Sequence, residues 1–108
     1  MNGDNFPISI SDEFDYKGFM EMFQEAERTG TVDSCFNSLF NKWKDSLDEC
    51  VALTLTLNHL MWIHHEQGEK EYYRKYNDMW SKLFNYALKH YKGQQLCAYQ
   101  LAFDDING

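Results

Sequence analysis

The sequence has little of what interrupts or cross-links a polypeptide, with one proline, six glycines and three cysteines in 108 residues. So few prolines and glycines exclude long linkers and low-complexity tracts, and no internal repeat is found. The cysteines form no C-x-x-C pair and follow no signal peptide, so we expect reduced thiols in a cytoplasmic protein. The length predicts a single domain over residues 1–108.

Sequence motifs of catalysis and of phosphate binding are also missing. No G-x-S-x-G, H-E-x-x-H, G-x-x-x-x-G-K or G-x-G-x-x-G pattern occurs. Cys35 lies near the predicted start of a helix, a position that can lower the pKa of a thiol. No histidine can be identified from the sequence as its base. Each cysteine lies among apolar residues, which is typical of a small buried hydrophobe. We therefore expect no catalytic residue.

Three histidines lie close together but do not have the spacing of metal ligands. His59 is five positions from His64 and six from His65, whereas two ligands on one helical face are three or four positions apart. We expect no metal and no cofactor, and we expect His64 and His65 to reach solvent or a backbone carbonyl at a helix end.

The stretch Ser46–Gln67 is predicted to be the central helix. Ser46 and Glu49 match a capping box, and apolar residues then occupy nearly every helical face, as in a buried helix. Residues 51–57 alternate between apolar and other residues, so a strand is the alternative. The apolar run continues to Ile63, too long for a typical strand of about 5–6 residues. Polar residues interrupt it, whereas a membrane span needs roughly 20 mostly apolar residues.

Helical periodicity and end signals predict further helices over about residues 12–29, 32–44, 69–92 and 94–103. The fold class is thus predicted as all-α: a compact bundle of four to five helices with a short extended N-terminal arm. Residues 1–11 form the arm, and residues 104–108 form a frayed tail. Whether Asp33–Gln67 is one helix or two is open, because the junction at Asp45 either breaks or only kinks the chain.

The net charge of −7 opposes general affinity for nucleic acid or for anionic membranes. Charge is unevenly distributed: residues 1–30 carry −5, whereas residues 69–92 carry +3. An acidic surface can imitate a phosphate backbone and occupy a basic groove of a partner. A run of tyrosine and basic residues suits a protein interface. The predicted partner-binding residues are Asp12, Glu13, Asp15, Glu21, Glu25, Tyr73, Arg74 and Lys75.

The small size, the acidity and the lack of a catalytic constellation make the chain similar in general character to small accessory proteins of phages and mobile elements. These include inhibitors of host defence nucleases such as CRISPR effectors. The resemblance implies a non-enzymatic protein that acts by stoichiometric contact with a protein partner whose surface is basic. The alternative is a helical bundle, oligomeric or not, that binds a small ligand such as a nucleotide through Tyr73, Arg74, Lys75 and the pair His64–His65. With 18 aromatic residues, a homo-oligomer is plausible under either hypothesis.

Overall fold

The computed structural model of the protein describes residues 16–107, with the side chains of residues 18–102. These residues form five helices and no strand, which confirms the all-α class. The predicted arm over residues 1–11 lies outside the described residues, as do Asp12, Glu13 and Asp15. In chain order the helices are α1 (Tyr16–Thr29), α2 (Val32–Trp43), α3 (Leu47–Glu66), α4 (Lys70–His90) and α5 (Gly93–Asn107).

The helical conformation is interrupted between α2 and α3. The region Asp33–Gln67, for which one helix and two helices were both possible predictions, therefore forms two helices. The Tyr91 hydroxyl donates to the Lys44 carbonyl at 2.7 Å and holds the connecting turn. Ser46 is the N-cap of α3 in an extended conformation, but its side chain makes no capping hydrogen bond. The Ser46 half of the predicted capping box is therefore absent. The first intrahelical bond is present, because the Cys50 amide donates to the Ser46 carbonyl at 2.7 Å.

α3 is the centre of the bundle, because every residue from Cys50 to Leu57 is buried. Its two threonines explain how an alternating sequence forms a buried helix. The Thr54 hydroxyl donates to the Cys50 carbonyl and the Thr56 hydroxyl to the Ala52 carbonyl, both at 2.8 Å. Each hydroxyl is thus satisfied by a carbonyl one turn earlier, as buried polar groups require. The strand alternative is wrong.

The other helices surround α3. Gly68, at φ +74°, forms the turn after which α4 packs along α3 in the largest interface of the bundle, and glycine adopts this conformation at no steric cost. α5 packs against α3 and α4 and continues to Asn107, past the end predicted near residue 103. α1 and α2 pack against each other and against α3. Among residues 16–107, no helix combines the length and apolar character needed to cross a membrane.

Candidate partner-binding groove

An open groove of about 780 Å³ lies between α1 and α2, and we call it the α1–α2 groove. Gly30, at φ +73°, turns α2 back beside α1. The phenyl rings of Phe23 and Phe40 contact Tyr76 and Tyr86 of α4 and do not line the groove. Ala26 and Leu39 are buried along the groove. Met22 also lines it but has 47% of its surface exposed. The groove therefore offers apolar surface to a second molecule.

The α1 side of the groove is acidic. Glu21 and Glu25 line it, lie one helical turn apart, and are both exposed. Glu25 also pairs with Arg28, but 58% and 72% of the two side chains are exposed, respectively. An ion pair so exposed contributes little, about 0–1 kcal/mol, so the Glu25 carboxylate can exchange it for another cation. Two of the predicted partner-binding residues thus lie together on the rim of an apolar groove.

The α2 side of the groove carries hydroxyl groups instead of charges. Ser34 and Ser38 line it, are exposed, and lie one turn apart. The groove is therefore asymmetric, with carboxylates along one rim and small neutral side chains along the other. This asymmetry was not predicted, because it appears only when α1 and α2 are placed side by side.

The other predicted binding residues, Tyr73, Arg74 and Lys75, do not act as one group. Tyr73 is half-buried, with its ring 5.4 Å from that of His65. Nζ of Lys75 lies 3.3 Å from Oδ2 of Asp33, so this ion pair connects α4 to the start of α2. Arg74 is exposed. Consecutive helical residues point about 100° apart, so the three side chains meet different surroundings.

The most elaborate polar cluster lies where α1 ends against the α3–α4 turn, and the sequence did not predict it. His64 is only 6% exposed, and both of its ring nitrogens face carboxylates. Nε2 is 2.8 Å from Oε2 of Glu27, and Nδ1 contacts Oε1 of Glu69. The Tyr76 hydroxyl donates to the same Glu27 oxygen at 2.6 Å. The rings of Tyr72 and Tyr76 stack on the imidazole, with centroids 4.7 Å and 5.6 Å away.

This His64 cluster (Glu27, His64, Glu69, Tyr72 and Tyr76) fixes the orientation of α1. The prediction that His64 reaches solvent or a backbone carbonyl is wrong, because the imidazole lies between carboxylates of two separate segments. The pKa of Tyr76 is raised, first by burial and then by the hydrogen bond to Glu27, so the phenol stays protonated and donates. His64 follows Leu57 and Leu60 at the helical spacing of the buried face of α3. That spacing is the signal that could have revealed it.

The cysteines differ from one another, contrary to the prediction that all three are buried. Cys50 is buried and Cys35 is half-buried, but Cys97 is exposed. Desolvation raises the pKa of Cys35, which is opposite to the lowering that a helix start can cause. Burial raises the pKa of Cys50 to about 12.

A second, smaller pocket of about 210 Å³ is the place to look for a small ligand. It is lined by two carboxylates, Asp33 and Glu71, while Lys75 contacts Asp33. Two carboxylates beside one paired lysine repel the phosphates of a nucleotide. Among the side chains of residues 18–102, no three of His, Cys, Asp or Glu are arranged to hold a metal ion.

Comparisons of the chain with models of protein families, with characterised proteins and with solved structures find no match.

Proposed function

We propose that the protein is a non-enzymatic binding protein that acts by stoichiometric contact with a protein partner whose surface is basic. The observation that carries the proposal is the α1–α2 groove, where exposed Met22 lies beside the exposed glutamates Glu21 and Glu25. An apolar centre with charged residues at its edge matches the apolar core and polar rim of protein interfaces. The net charge of −7 favours encounter with a basic surface.

Within this class we propose inhibition of a host effector that binds nucleic acid, such as a CRISPR effector. A basic groove that holds a phosphate backbone is the kind of surface that exposed glutamates can occupy. The protein would then compete with nucleic acid for the effector and would itself need no reaction. Nucleic acid that is bound first in the basic groove of the effector should prevent the protein from binding to the effector. Protein that is bound first should likewise prevent nucleic acid from binding.

The first experiment is a pull-down from host lysate with the purified protein, followed by light scattering to obtain the mass and stoichiometry of the complex. The captured partner is then tested against the double variant Glu21→Lys/Glu25→Lys. Its matched control is Glu66→Lys/Asp78→Lys, which reverses two exposed carboxylates of α3 and α4 and changes the net charge equally.

We expect the groove variant to bind the partner about tenfold more weakly at low salt, and the control to bind within about twofold of the unchanged protein. The difference should shrink at high salt because exposed charges are screened. Equal affinity of the two double variants at low salt would contradict the acidic contact surface.

A further inference from the structure

We infer that the α1–α2 groove receives a single amphipathic helix of the partner, with basic residues along one flank only. This inference rests on the proposed function and specifies the partner's chemistry at the same site. The groove is bordered by α1, which has 14 residues, and α2, which has 12. The groove itself is lined by residues 18–26 of α1 and by residues 31–39 at the start of α2. At 1.5 Å per residue each side is about 12–14 Å long, so the groove accommodates two to three turns of a third helix.

The secondary structure of residues 16–107 favours a helix over an extended peptide as the occupant. Extended peptides gain affinity by adding a strand to a sheet edge, and the described residues contain no strand. Backbone amides and carbonyls within α1 and α2 already form hydrogen bonds in their own helices. A bound molecule can therefore contact the groove mainly through side chains. A helix that lays an apolar stripe into a groove needs only side-chain contacts.

The apolar part of the groove defines what this stripe must contain. Met22 is the exposed anchor, with Ala26 and Leu39 beside it and the half-buried Cys35 thiol near them. Methionine is flexible and polarisable, so it adapts to several aliphatic shapes. The partner helix is therefore expected to present leucine-like residues at i, i+4 and i+7.

The two rims define the flanks of the partner helix. Glu21 and Glu25 lie one turn apart, so they match lysine or arginine residues that also lie one turn apart on a helix beside them. Ser34 and Ser38 on the other rim leave room for uncharged residues and attract no cation. In a helix with cations on both flanks, only the cations beside Glu21 and Glu25 would add binding affinity.

The test uses a labelled synthetic helical peptide of 15 residues, alanine-based, with leucines at i, i+4 and i+7 and lysines on one flank. Binding to the full chain is measured by fluorescence anisotropy at low salt. Two further peptides serve as controls: one has the same composition in scrambled order, and the other has glutamates in place of the lysines. We expect the one-flank lysine peptide to bind at least about tenfold more tightly than either control.

Three proteins are compared with the unchanged chain. Ser38→Trp fills the groove without changing charge, Glu21→Lys/Glu25→Lys reverses the acidic rim, and Glu66→Lys/Asp78→Lys is the charge control. All substituted residues are exposed, and circular dichroism with thermal unfolding confirms that each variant is folded. We expect the first two to weaken peptide binding about tenfold and the control to stay within about twofold.

The outcomes separate this inference from the proposed function. If Ser38→Trp binds the peptide and the captured partner as tightly as the unchanged chain while the rim variant does not, an acidic contact stands and the helix in the groove is refuted. If neither variant weakens capture of the partner, the groove is not the contact surface and the inference is refuted, whereas failure to capture any partner would count against the proposed function itself. Displacement of the labelled peptide by a peptide of residues 1–15, or a dimer in sedimentation that dissociates when the peptide binds, would identify another occupant and overturn the inference.

Discussion

Replacing Glu27 by alanine should destabilise the protein more than replacing any exposed glutamate of α1. One carboxylate oxygen of Glu27 receives both the His64 imidazole at 2.8 Å and the Tyr76 hydroxyl at 2.6 Å. Only 6% of His64 and none of Tyr76 is exposed, so water cannot fully replace the lost acceptor for either group. The change therefore leaves two buried donors without their partner.

The size of the effect follows from these two hydrogen bonds. A hydrogen bond to a charged group contributes about 1.5–3 kcal/mol, and leaving a buried donor unsatisfied costs a similar amount. Because 19% of the Glu27 side chain is exposed, some water enters the site and the effect stays near the lower end. We expect a loss of about 3 kcal/mol in the free energy of unfolding, which corresponds to a fall of about 12 °C or more in Tm.

Urea unfolding followed by far-UV circular dichroism measures this change. The control is Glu21→Ala, which removes an exposed carboxylate from the same helix and should change stability by no more than about 0.5 kcal/mol. A double-mutant cycle with Tyr76→Phe then isolates the coupling between Glu27 and the phenol. Similar losses for Glu27→Ala and Glu21→Ala would refute the assignment of the His64 cluster as the attachment of α1.

Two further predictions concern buried hydroxyls and thiols. Thr54→Val should lower the free energy of unfolding by about 1 kcal/mol more than Thr56→Val does. The Thr54 hydroxyl forms a second hydrogen bond, to the Tyr99 hydroxyl at 2.8 Å, and the buried phenol would lose this partner. Equal losses of unfolding free energy in the two variants, measured by urea unfolding, would show that this bond does not stabilise the protein. Cys97 should react with a thiol reagent well before Cys35 near pH 8, since desolvation raises the pKa of Cys35 and lowers its thiolate fraction. Single Cys→Ser variants identify each kinetic phase, and faster labelling of Cys35 would contradict the prediction.

The elements of the fold were predictable where a signal is local. Helical spacing predicts an apolar stripe of Phe19, Met22, Phe23 and Ala26 on α1; three of them are buried, but Met22 is 47% exposed. Gly30 and Gly68 stand at turns with positive φ. Details that depend on neighbouring segments were missed. The missing side-chain bond at the N-cap of α3 is one such detail, because a sequence pattern shows which bond is available and not whether it forms.

The candidate site was predictable only in part, for the same reason. Exposed glutamates on α1 follow from the position of its apolar stripe, so Glu21 and Glu25 could be named. The groove depends on how α2 lies beside α1, and no local pattern encodes that arrangement. Similarly, Glu27 and His64 are 37 positions apart, and only the tertiary fold shows that one is the partner of the other.

The burial of α3 on every side has a consequence for how the protein is made. Synthesis from the N-terminus releases α3 from the ribosome before α4 and α5, which supply much of its covering surface. Until residues 70–90 follow, the apolar side chains between Cys50 and Leu57 lack their largest packing partner. Folding on the ribosome therefore waits for α4 to emerge, and during that interval the apolar surface of α3 stays uncovered.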